Sequence, residues 1–160
     1  MTGVQQHRIL VFGYGNPARG DDGLGPAVAE YFESLALDSV TVDADYQLTV
    51  EDAAQVAEHD ITVFVDAAID GPEPYSLSRV SPEEGGSFSS HSVTPGQVTG
   101  LAESLFDATG DIYIMGIRGY AFEMFTEQLT DQASDNLRLA CTSLEDMVRT
   151  GTFPVADDTK

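Results

Sequence analysis

Apolar residues along this chain fall into short unbroken runs, separated by longer stretches with helical spacing. Arg8 to Gly13 (RILVFG) is a continuous apolar run closed by glycine, which predicts a buried strand. A glycine-rich loop, YGNPARGDDGLG, follows it. Pro26 then stands where a first helical turn tolerates proline, and AVAEYFESLA continues at helical spacing. Val40 to Val42 alternates as a second strand. Thr49 followed by Asp52 resembles a capping box, and VEDAAQVAEH predicts a second helix. Ile61 to Val65 (ITVFV) is the strongest strand signal: β-branched, aromatic and unbroken. Tyr75 to Val80 predicts a further strand. Thr94-Pro95 starts a helix that runs to about Ala108, and Asp111 to Ile117 is the fifth strand. A final helix is expected from about Thr130 to Thr150. Ala133, Leu137, Ala140, Leu144 and Met147 line one of its faces, and Gly151 stops it.

Strands alternating with helices, with no internal repeat, predict a three-layer α/β/α sandwich around a mostly parallel five-stranded sheet. The 160 residues are expected to form a single domain with an ordered core over about 8–150 and a frayed tail at 155–160. A chain of this length buries ~70% of the surface it exposes on unfolding, enough for a core without staples. The single cysteine, Cys141, excludes an internal disulfide framework and a cysteine-built zinc site.

Charge narrows the class. The chain carries 27 Asp+Glu against 7 Lys+Arg, and its formal net charge is −20. Nucleic-acid binding needs cations to neutralise phosphates, so it is not expected, and an anionic membrane surface would repel the chain. No apolar run approaches the ~20 residues of a membrane span, and MTGVQQHR has no signal-peptide apolar region. The expectation is a cytoplasmic protein. Most of the acidic excess also fits a plain solvated surface.

In an open α/β sheet, ligands bind beyond the carboxyl ends of the strands. Three loops are expected there: 13–25 after the first strand, Asp66-Ala67-Ala68 after the third, and Ser89-Ser90-His91-Ser92 before the third helix. They would bring Asp22, Asp66 and His91 face to face. Two carboxylates and an imidazole suit a divalent first-row metal and leave coordination positions open. Each residue alone has a plainer reading. Asp21 or Asp22 suits a helix N-cap, Asp66 a turn, and His91 a surface loop.

The segment ILVFGYGNPARGDDGLGPAVAE resembles the N-terminal signature of the nickel-iron hydrogenase maturation endopeptidases: strand, G-x-G-N, a short variable stretch, D-[D/E]-G-x-G, helix. VFVDAA is similar to that family's apolar strand ending in Asp, and SSHSVTPGQVTGLAESL to its histidine loop before a helix. Order and spacing agree over residues 8–150. The resemblance implies nickel-sensing ligands at Asp22, Asp66 and His91, which would serve as both the metal-contacting and the catalytic set. It makes Asp21 a supporting or capping residue. It also implies a partner and a reaction: removal of the C-terminal extension from a hydrogenase large-subunit precursor whose nickel is already in place. The nickel would be the precursor's, such a site need not hold metal tightly in the free protein, and a monomer is expected. Binding should weaken as His91 protonates, near pH ~6.5 or above it beside carboxylates. Ala18, Arg19-Gly20 and the stretch Asp45-Tyr46-Gln47-Leu48-Thr49 depart from the family pattern, which bears on the particular partner.

Other schemes fit less well. There is no G-x-S-x-G elbow, Cys141 reads as core, and His7 and His59 read as surface residues without partners. A dinucleotide-binding domain lacks its third glycine, and Asp21 and Asp22 would repel a pyrophosphate. A receiver-type phosphoacceptor domain would use an acidic pair and Asp66 but has Arg118 where a lysine is expected, and it leaves His91 without a role. A non-cleaving, chaperone-like relative of the endopeptidases stays open, because ligands alone do not prove turnover.

Overall fold

A computed structural model describes residues 7–83 and 93–154. Its elements in chain order are β1 (Ile9–Tyr14), a 3-10 turn (Gly20–Gly23), α1 (Leu24–Leu35), β2 (Val40–Asp45), α2 (Asp52–Ala57), β3 (Ile61–Ala68), β4 (Tyr75–Arg79), α3 (Pro95–Phe106), β5 (Asp111–Arg118) and α4 (Asp131–Thr150). The five strands form one sheet in the order β2-β1-β3-β5-β4. Strands β2, β1, β3 and β5 run parallel, and β4 pairs antiparallel with β5 at the edge. The expected sandwich is therefore the observed one. Receiver-type domains share the doubly wound plan in the order 2-1-3-4-5; here β5 takes the inner place and β4 is reversed.

Alternation along the strands splits the core into two layers. Ile9, Val11, Val63, Val65, Met115 and Ile117 face α1 and α4, where they meet Val28, Phe32, Ala140 and Leu144. Leu10, Phe12, Phe64 and Ile112 face α2 and α3, against Ala53, Val56, Val98 and Ala102. Both faces of β1 and β3 are covered, which explains their continuous apolar sequences.

Several local expectations are corrected. The second helix is shorter than predicted: Thr49 and Asp52 make only half a capping box, the Asp52 carboxylate accepting the Thr49 N–H at 2.8 Å. The complete box is at α3. There Thr94 Oγ1 accepts the Gln97 N–H at 3.0 Å, and Gln97 Oε1 accepts the Thr94 N–H at 2.9 Å. His59 is buried rather than exposed, its Nδ1 lying 2.8 Å from the Gln55 carbonyl, and His7 is half-buried, with its ring close to Gly151. Cys141 is buried in α4, as read from sequence. The predicted fraying at 155–160 lies outside the described residues.

Candidate functional site

The site begins with glycines. A Cβ on Gly13 would lie 1.9 Å from the Gly25 carbonyl oxygen, so β1 and the start of α1 touch backbone to backbone. This contact seats the N-terminus of α1 on the carboxyl edge of the sheet. Gly15 has φ +142°, and a Cβ there would stand 2.1 Å from the Asp22 carbonyl oxygen. The glycines of the loop therefore serve close packing, and the 3-10 turn bearing Asp21 and Asp22 lies directly over the end of β1.

Neither aspartate caps its own helix, although sequence suggested that role. The Asp22 carboxylate accepts the Asn16 N–H at 2.7 Å, which closes the loop on itself. Asp21 is fully buried and faces away, toward the segment after β5. Its Oδ2 accepts the N–H groups of Tyr120 (2.7 Å) and Ala121 (3.1 Å) and the Thr130 hydroxyl (2.9 Å); its Oδ1 accepts the Thr130 N–H (2.8 Å). Asp21 is thus the supporting residue that the sequence suggested, and it acts through the residue that caps α4.

Asp66 does not follow β3 but belongs to it. The strand continues to Ala68, with Asp66 paired to Gly116 of β5. Alternation turns its side chain to the α2/α3 side, the same side as Tyr14 on the neighbouring strand. Burial pushes the Asp66 carboxyl up to about 6. The Asp22 charge adds to the rise, while the Ala67 N–H (2.8 Å) and the Tyr14 hydroxyl favour the ionised form. Burial and the Asp66 charge in turn hold the Tyr14 phenol well above its ordinary range, so it stays a hydrogen-bond donor. The structure therefore brings Asp22, Asp66 and Tyr14 into one electrostatic unit. Sequence reasoning passed over Tyr14. The signal was the period-2 series Leu10, Phe12, Tyr14, which sets the hydroxyl on the face that also carries Phe64 and Asp66.

Asp66 and Tyr14 line a cleft of about 590 Å³, bounded on the far side by Ser81, Glu83, Thr94 and Gly96. This is within the usual size of a ligand pocket. Glu83 ties the two walls: its N–H donates to the Gly96 carbonyl at 2.9 Å, and its carboxylate accepts the Thr94 hydroxyl at 3.2 Å. His91, the third expected site residue, lies outside the described residues, as do Ser89, Ser90 and Ser92. Among the described residues, no group of three or more His, Cys, Asp and Glu side chains is assembled for a metal. Two carboxylates, one of them ionising at about 6, suit proton transfer at a reacting group.

The architecture is that of a known class: the fold is shared with the hydrogenase maturation proteases. One such structure is the NiFe hydrogenase maturation protease HycI from Thermococcus kodakarensis, with a TM-score of 0.70 and 22% identity over 91% of this chain and 95% of that one. The hydrogenase 2 maturation peptidase from a Thaumarchaeota archaeon aligns with a TM-score of 0.66 and 21% identity, covering 89% of this chain and 99% of that one. The hydrogenase maturating endopeptidase HybD from Escherichia coli gives 0.64 and 20%, covering 90% and 93%. No protein-family model matches the sequence, and no curated protein matches it.

Proposed function

We propose that this chain is a hydrogenase maturation endopeptidase. It removes the C-terminal extension of a nickel-iron hydrogenase large-subunit precursor, and Asp22, Asp66 and His91 sense the nickel that the precursor already carries. The nickel belongs to the substrate. One observation carries the reading: the Asp22 loop and Asp66 meet beside a cleft at the carboxyl edge of the sheet, in the fold of the solved maturation proteases.

Each part has a physical role. Above pH ~6 Asp66 is a carboxylate, able to approach a divalent ion together with Asp22; Tyr14 orients it by donating to it. The cleft beside Asp66 has room for an extended peptide segment. Its lining residues 80–83 and 94–96 come just before and just after residues 84–92 in the sequence, the stretch that includes His91. Asp21 fixes the loop that carries Asp22. The protein is taken to be a cytoplasmic monomer; a net charge of −20 opposes self-association.

The test follows the intact mass of a nickel-loaded precursor incubated with the protein. Loss of a C-terminal peptide is expected with the wild type and not with Asp22→Ala, Asp66→Ala or His91→Ala. Equal cleavage by those variants contradicts the site. Binding without cleavage would make the chain a chaperone-like relative instead.

A further inference from the structure

The loop after β5 displays an apolar tip. Residues 123–128 are all exposed, and Phe125 is 88% and Met124 49% accessible. Phe122, three positions earlier, behaves in the ordinary way: it is half-buried, with its ring over Gly119. Phe125 instead holds a left-handed backbone, φ +64°, which a bulky side chain adopts at a penalty of roughly 1–2 kcal/mol.

The tip is also held firmly against the Asp22 loop. Thr126 donates its N–H to the Ala18 carbonyl at 3.0 Å and accepts the Gly20 N–H at 2.6 Å. On the other side of the tip, Ala121 accepts the Asp21 N–H at 2.8 Å and donates to the Asp21 carboxylate at 3.1 Å. Both flanks of Met124–Phe125 are therefore bonded to the residues just before Asp22. An exposed aromatic kept in a strained conformation, and fixed relative to a site carboxylate, is organised for contact before any partner arrives.

Its surroundings indicate the partner's chemistry. Glu123 and Glu127 flank the tip, Arg19 stands on the facing segment, and the chain as a whole carries −20. A second copy, or an anionic membrane, would be repelled. The complementary surface is an apolar socket with a basic rim on a different protein.

We propose that Met124–Phe125 is the docking knob for the precursor, entering an apolar socket rimmed by Lys and Arg and so setting the precursor's nickel against Asp22 and Asp66. This rests on the function proposed above. The test measures both steady-state cleavage of, and equilibrium binding to, the nickel-loaded precursor. Phe125→Asn removes the ring, and asparagine tolerates the left-handed backbone; Phe125→Tyr keeps the ring; Met124→Ala is a second, milder probe. With Phe125→Asn, KM and Kd should rise about tenfold or more while kcat changes less than about twofold. Met124→Ala should show a smaller rise in the same direction, and Phe125→Tyr should behave as wild type. Adding salt should weaken binding by the wild type. Unchanged KM and Kd in both Phe125→Asn and Met124→Ala, with a wild type that cleaves, overturns the docking role and leaves the proposed function standing. So does a fall in kcat alone. If the wild type binds but does not cleave, the enzymatic reading fails, and the Kd comparison still decides the docking role. If it neither binds nor cleaves, both fall. A wild-type dimer that Phe125→Asn dissociates would assign the tip to self-association and overturn the proposal.

Discussion

The Asp21 carboxylate grips Thr130, 109 residues further along the chain, through both its backbone N–H and its hydroxyl, at 2.8 and 2.9 Å. The same hydroxyl oxygen caps α4 by accepting the Ala133 N–H at 3.2 Å. One buried side chain therefore links the site loop, the segment after β5 and the start of the longest helix. Asp21→Ala leaves three backbone N–H groups without an acceptor and should destabilise the fold by about 3 kcal/mol. Asp21→Asn should be nearly as damaging, because an amide NH2 replaces one accepting oxygen among donors. Chemical denaturation should show a lower midpoint with an unchanged slope for both. Wild-type stability in Asp21→Asn would refute the brace.

A second prediction concerns pH. Asp66 ionises at about 6 in the fold, against 3.8 for an unperturbed aspartate. The folded state therefore holds the proton more tightly than the unfolded one, and ionisation opposes folding above pH ~6. That penalty is relieved as the pH falls toward 4. Asp66→Asn should raise stability at pH 7.5 by of order 2–3 kcal/mol, and the gain should fade by pH 4. Thermal melts of both metal-free proteins at the two pH values check this; an equal gap at both contradicts it.

The close glycine contact gives a third. In Gly13→Ala the added methyl meets the Gly25 carbonyl at 1.9 Å, backbone against backbone, with no side chain able to yield. The start of α1 must lift from the sheet. A loss of 3 kcal/mol or more is expected, or failure to accumulate in soluble form. A melting temperature within about 2 °C of wild type would show that the contact relaxes easily.

Cys141 offers a fourth. Burial, with the Glu145 charge behind it, pushes its thiol up to about 12. It should resist alkylation at pH 8 in the folded protein and react only on unfolding. Cys141→Ala should leave precursor cleavage unchanged. Loss of cleavage in that variant would reinstate a thiol nucleophile.

How far the sequence reached follows from range. Strand β3 was readable because burial on both faces leaves an apolar run at Ile61–Val65. Its last turn of ladder was not, because Asp66, Ala67 and Ala68 break the run and are held by pairing with Gly116, Ile117 and Arg118. The carboxyl-edge rule pointed to Asp22 and Asp66, and in the fold the Asp22 charge acts on the Asp66 carboxyl. It gave no sign that Asp21 turns its back on them, since all its partners lie about 100 residues away. Two locally similar capping boxes, Thr49/Asp52 and Thr94/Gln97, differ in whether the helix follows at once. Only at α3 does Pro95 fix the first helical position and let both halves close. The burial of His59 was not legible locally; its Nδ1 turns back to the Gln55 carbonyl, and Gly110 of the turn before β5 packs against its backbone. His91 is a proposal from sequence alone.

The most direct test of the central claim compares one precursor with and without its nickel. Wild-type protein, incubated with each, is followed by intact mass spectrometry of the precursor. The nickel-loaded form should lose its C-terminal peptide, and the nickel-free form should stay whole. Cleavage of both forms at the same rate, or of neither, would contradict a nickel-sensing endopeptidase.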